Sequence, residues 1–169
     1  LRRATRERSR RADIPVEFES MGQDRRLAMD LESGLFRMLD EGLAGYLAGS
    51  PDAVSLKLDW GDRLTADLVA TRAIPPVDPS SEIEIPSVEA GQALPPALAA
   101  LVEERRAAQR AAAEAAIRAS VVPLPPAAWR EIQDRAGSVG VTAELRDAGT
   151  HLHLSIELPS LDEGGDGVG

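Results

Sequence analysis

The chain has 169 residues, a formal net charge of −9, 43% hydrophobic residues and no cysteine. That length suits one domain with a sizeable core, and the apolar content argues against disorder throughout. The absence of cysteine excludes disulfides and thiolate metal sites, and no apolar run reaches the ~20 residues of a membrane-spanning helix. The charge is uneven: residues 1–11 hold six Arg and one Glu, or +5, so the remainder carries −14. An acidic body argues against nucleic acid as the main partner, because phosphate contacts need a basic surface. No membrane contact by this chain is expected. The basic start LRRATRERSRR has no apolar stretch after it, so it does not read as a signal peptide. A cytoplasmic protein, or a cytoplasmic piece of a longer one, is expected.

Residues 1–12 read as the basic end of an upstream helix or a linker, solvated rather than packed. IPVEFES (14–20) alternates apolar and polar residues and predicts a half-buried strand. From Leu27 the apolar positions Leu31, Leu35, Met38, Leu39, Leu43, Tyr46 and Leu47 form one helical stripe, which AGSPD (48–52) ends. VSLKLDW (54–60) and RLTADLVATRA (63–73) alternate around Gly61-Asp62 and predict a hairpin. Residues 74–96 contain six prolines and no period, and read as a long loop. Residues 97–119 are rich in Ala, Glu and Arg and predict a long helix with a weak apolar stripe. VVPLPP (121–126) reads as a linker, 127–140 as a helix, and 141–159 as a second hairpin around a DAG turn. The Gly-rich acidic tail 160–169 reads as disordered.

This order predicts an α+β two-layer sandwich in which a mixed, mostly antiparallel sheet is covered by helices. The expected organisation is a single domain over 13–159. A Pro-rich loop and the helix 97–119 form an insertion across 74–126.

Three blocks carry a family resemblance. IPVEFES followed by DLESGLFRMLDEGLAGYLAGSPDAVSLKLDWGDRLTADL matches a strand, a helix and a hairpin, with Phe36, Arg37, Glu41 and Leu43 at the helix's Tyr, Arg, Glu and Leu positions. DRAGSVGVTAELRDAGTHLHLSIELP (134–159) matches a terminal helix and hairpin, and LRRATRERSRRADIPVEF matches the joint after a dimerising helix pair. The chain thereby resembles the ATP-binding catalytic domain of sensor histidine kinases of the nitrate-sensing and membrane-fluidity-sensing kind. That domain belongs to the ATPase superfamily shared with gyrase and MutL, the Bergerat fold. The resemblance implies a lid between the two blocks, here modified to carry the extra helix.

The residues that the family uses for nucleotide are largely missing. The helix should carry an acidic residue and, four positions on, an Asn that holds Mg²⁺; here Glu41 is followed by Gly45, which has no side-chain oxygen to ligate a hard cation. Gly49 stands at the family's His. Ala70 and Arg72 stand at the Asp and first Gly of the Asp-x-Gly-x-Gly motif, whose Asp meets adenine. SVVPLPPAAW has no glycine where a phosphate-cradling box is expected.

The expectation is a degenerate domain: a protein-interaction or regulatory module in bacterial two-component-type signalling, with Glu41 a vestigial catalytic position, no cofactor and no metal. The implied partner is a kinase dimerisation domain or a regulator. A homodimer is expected if the basic start continues an upstream helix. One alternative is an active kinase domain binding ATP and Mg²⁺, with Asp67, Asp78, Glu82 or Glu84 replacing the missing Asp. Another is an unrelated α+β binding scaffold. His151 and His153 are two apart on one strand, so they share a face. They read as a hydrogen-bonded pair, because no third metal ligand is evident from sequence. Trp60 and Trp129 read as packing residues.

Overall fold

The computed structural model describes residues 2–74 and 95–158. Two compact units are present: residues 1–72 with 121–169, and residues 73–120. The first unit contains, in chain order, helix α1 (Arg2–Ala12), strand β1 (Val16–Gly22), helix α2 (Met29–Ala48) and strands β2 (Ala53–Trp60) and β3 (Arg63–Thr71). Helix α4 (Pro126–Val139) and strands β4 (Thr142–Arg146) and β5 (His151–Glu157) complete it. The second unit carries helix α3 (Pro96–Ser120), with a Glu103–Arg106 ion pair one turn apart. The loop 75–94, with Asp78, Glu82 and Glu84, and the tail 159–169 lie outside the described residues.

Five strands form one sheet in the order β1-β2-β3-β5-β4. β1 pairs with β2 in parallel, because α2 carries the chain back between them; the other three pairs are antiparallel. The expected α+β class, with a mixed and mostly antiparallel sheet, is what the described residues build.

Strand alternation sorts the side chains. Val54, Leu56 and Leu58 of β2, Leu64, Ala66, Leu68 and Ala70 of β3, and Leu152, Leu154 and Ile156 of β5 are buried on one face. α2 lays Leu35, Met38, Leu39, Leu43 and Tyr46 into that core, and α4 adds Ala128, Ile132 and Ala136. Trp60 and Trp129 are half-buried and packed against it. α4 starts with Pro126, whose missing N–H costs nothing at a helix start, and ends at left-handed Gly140.

Two segments differ from the sequence reading. α1 is not a free solvated end. Thr5 is buried, and Arg8 donates from Nε and Nη2 to the two carboxylate oxygens of Asp40 on α2, both at 2.5 Å. Arg2 stacks over the Phe18 ring at 5.2 Å. β1 begins at Val16 rather than Ile14 because Asp13 turns through φ 56° and the Ile14 carbonyl accepts from Ser9 Oγ at 2.7 Å. The second segment is 121–125. It is no linker, since Val122 and Leu124 are as buried as the strand residues.

Candidate functional site

The family resemblance implies nucleotide on one face of α2, and a polar cluster lies on the sheet.

On α2, Glu41 is half-buried and lines a shallow polar hollow with Arg37, Asp40, Glu131 and Arg135. Asp40 is taken up by Arg8. The hydrogen bond to Asp40 holds the Arg8 guanidinium above its ordinary pKa against the opposing effect of burial, and the Glu41 charge adds to it. Glu41 therefore sits near one fixed cation, the Arg8 guanidinium.

One turn on, a side chain at Gly45 would have to displace the Leu124 side chain. A Cβ there would lie 2.8 Å from Leu124 Cδ1, 3.1 Å from Pro125 Cδ and 3.4 Å from Ala128 Cβ. At Gly49 a Cβ would lie 2.6 Å from Val122 Cγ1. Both are under or near the limit that real carbon contacts reach, so residues 122–125 occupy the ground that an Asn and a His would need. The segment is tied by a backbone bond to the turn between β4 and β5, which a side chain of α2 also holds. The Leu124 amide donates to the Gly149 carbonyl at 2.9 Å, and the buried Tyr46 hydroxyl donates to the same oxygen at 2.9 Å. Burial raises the Tyr46 hydroxyl pKa, which keeps it a donor.

The other motif positions are structural too. Ala70 is buried, and its amide donates to the Thr150 carbonyl at 3.0 Å. Arg72 Nη2 donates to the Gly49 and Ser50 carbonyls, where a cation complements the carbonyl end of α2. Asp67, weighed as a replacement for the missing Asp, lies an odd number of residues from Leu68 and Ala70 on β3, so it lies on the sheet face opposite α2.

Gly45→Asn is expected to destabilise the chain by about 1–3 kcal/mol, the cost of overpacking a filled site, offset in part by removing a glycine from a helix. Urea unfolding measures it. No magnesium-dependent stabilisation by ATP should appear in the variant.

On the opposite sheet face, the register aligns Glu19, Lys57, Asp67, His153 and Glu144 in one row across all five strands. His151 lies beside it, opposite Val69 and Arg146. Asp67 Oδ1 is 2.6 Å from His151 Nε2 and 2.7 Å from His153 Nδ1. The three side chains are 15–29% exposed. His151 Nδ1 is 3.4 Å from Asp147 Oδ2 on the turn. Burial would raise the Asp67 pKa, but hydrogen bonds to His153 and His151 outweigh it and hold the carboxyl below its ordinary value. Among the described residues this is the one group of three whose donor atoms converge as metal ligands would, all within 4.8 Å of one another. From sequence, the pair of histidines was visible but its carboxylate was not.

No protein-family model matches the chain. No curated protein matches it either. Among solved structures, the chain is similar to the nucleotide-free catalytic domain of histidine kinase ThkA. The identity is 14% and the TM-score 0.44, over 92% of this chain and 88% of that one. At that identity and score the likeness decides neither family nor chemistry. Among the described residues no helix is long and apolar enough to cross a membrane.

Proposed function

We propose that this chain is a histidine-kinase-type ATPase domain that has lost nucleotide binding. It acts through protein contacts, as an interaction or regulatory module in bacterial two-component-type signalling. The observation that carries this reading is the packing of Leu124 and Pro125 against Gly45, and of Val122 against Gly49, on the helix face where the family resemblance implies magnesium and phosphate.

Several features support it. The strand, helix, hairpin and final helix–hairpin of the resemblance are all present in order. The residue at the adenine-Asp position is a core alanine, and the arginine two residues on caps a helix. Proline at 123, 125 and 126 removes amide donors from the stretch where phosphate would be cradled. On this reading the domain needs neither ATP nor Mg²⁺, and Glu41 is a residual acidic position held beside Arg8. Its partner is a protein, either the dimerisation domain of a kinase or a regulator, and its setting is cytoplasmic.

The rival reading, an active kinase domain, gains nothing from Asp67, which lies on the other face of the sheet and is engaged by two histidines. The two readings separate in a melting experiment with a fluorescent ATP analogue and with ATP, each with and without Mg²⁺. A ligand that binds only the folded chain raises its melting temperature by mass action. No binding and no shift at millimolar nucleotide are expected. A magnesium-dependent shift would establish the rival.

A further inference from the structure

We propose that Asp67, His151 and His153 form a binding site for a divalent transition-metal ion of the Zn²⁺ class, on the sheet face opposite α2.

Residues two apart on a strand share a face, so β5 presents both imidazoles together. The antiparallel register sets Asp67 of β3 directly opposite His153. Three donor atoms of types that suit Zn²⁺, two imidazole nitrogens and one carboxylate oxygen, therefore converge from two hydrogen-bonded strands. The rings stand edge to face with centroids 6.3 Å apart, so both nitrogens reach the same oxygen without stacking. Zinc–ligand bonds of about 2.0–2.2 Å need donor atoms a little over 3 Å apart. The 2.6 and 2.7 Å separations of Asp67 Oδ1 from the two nitrogens widen on taking up an ion, and all three donor atoms already lie within 4.8 Å of one another.

The surroundings favour a cation as well. A neutral imidazole has one N–H, yet His151 lies between two carboxylates: Nε2 faces Asp67 and Nδ1 faces Asp147. With the proton on Nδ1, directed at Asp147, the Nε2 lone pair is free for a metal. Closing the 3.4 Å gap to Asp147 would complete the carboxylate–histidine–metal arrangement that orients and strengthens histidine ligands. The two fixed cations nearby are already paired elsewhere, Lys57 with Glu19 at 3.5 Å and Arg146 with Glu144. Three protein ligands leave coordination positions for water or for a donor from a partner.

Zn²⁺ titrated into the chelator-stripped chain, in competition with a chromophoric chelator, should bind one ion per chain with micromolar or tighter affinity. Co²⁺ should give the visible absorption of a low-coordinate nitrogen–oxygen site. Asp67→Asn, His151→Gln and His153→Gln should each weaken binding about tenfold or more, and Asp147→Asn should weaken it by a similar factor if it orients His151. Circular dichroism confirms that each variant is folded. Absence of stoichiometric Zn²⁺ binding by the native chain overturns the proposal. So does undiminished affinity in Asp67→Asn, which would reduce the site to an adventitious histidine pair.

Discussion

Tyr46→Ala is expected to cost about 3–5 kcal/mol of unfolding free energy, the range for emptying a large aromatic site in a core. Tyr46 is fully buried on α2, and its hydroxyl reaches the Gly149 carbonyl 103 residues away. The ring fills space between helix and sheet, while the hydroxyl ties α2 to the turn between β4 and β5. That turn runs through three successive positive-φ residues, Asp147, Ala148 and Gly149. Two of the three are not glycine, so the conformation is held by its surroundings. Tyr46→Phe separates the contributions. It should cost about 1 kcal/mol, the usual net value of one hydrogen bond, because the Gly149 carbonyl keeps its bond from the Leu124 amide. Urea unfolding of the two variants gives both values. A Phe variant as damaged as the Ala variant would mean that the hydroxyl, not the ring, holds the helix in place.

Leu124→Ala should cost about 2–5 kcal/mol, as for a buried leucine elsewhere in a core. Leu124 is 3% exposed, touches the backbone position of Gly45 and lies beside buried Val122. Were 121–125 only a connection between a helix and the next, the change would fall within about 0.5 kcal/mol. The prediction therefore weighs the closed face of α2 directly, by its contribution to stability. A near-zero cost would mean that the segment lifts away readily and leaves the helix face open.

The legible parts of this fold were those with a period. VSLKLDW, RLTADLV and HLHLSIE alternate because one face of each strand meets the core and the other does not. The stripe from Leu31 to Leu47 repeats because α2 lies on that same core. The 121–125 segment carries its burial at Val122 and Leu124, two apart. Prolines at 123 and 125 dominate its composition and read as a connection. The signal was there as an extended V-x-L, but what it packs against is α2, more than 70 residues earlier, and no local pattern encodes that. Asp67 escaped for a related reason. Its place beside His151 and His153 depends on β5 lying next to β3, which is a matter of strand order, not of spacing along the chain. Arg8 was read as one of six solvated arginines, since its partner Asp40 belongs to a helix that begins beyond β1. Gly45 and Gly49 were read as losses from a binding motif. Their close contacts give a positive reason for glycine: the side chains of Val122, Leu124 and Pro125 fill the space beside them.

On the proposed reading, residues 122–125 occupy the face of α2 where the family resemblance implies nucleotide. Hydrogen exchange of the Leu124 amide, with and without ATP and Mg²⁺, tests it most directly. Slow exchange is expected in the absence of nucleotide, because that amide is bonded to the Gly149 carbonyl in a buried setting, with no change on adding Mg-ATP. Fast exchange that Mg-ATP alters would contradict it, and would show a segment that yields its place to ligand.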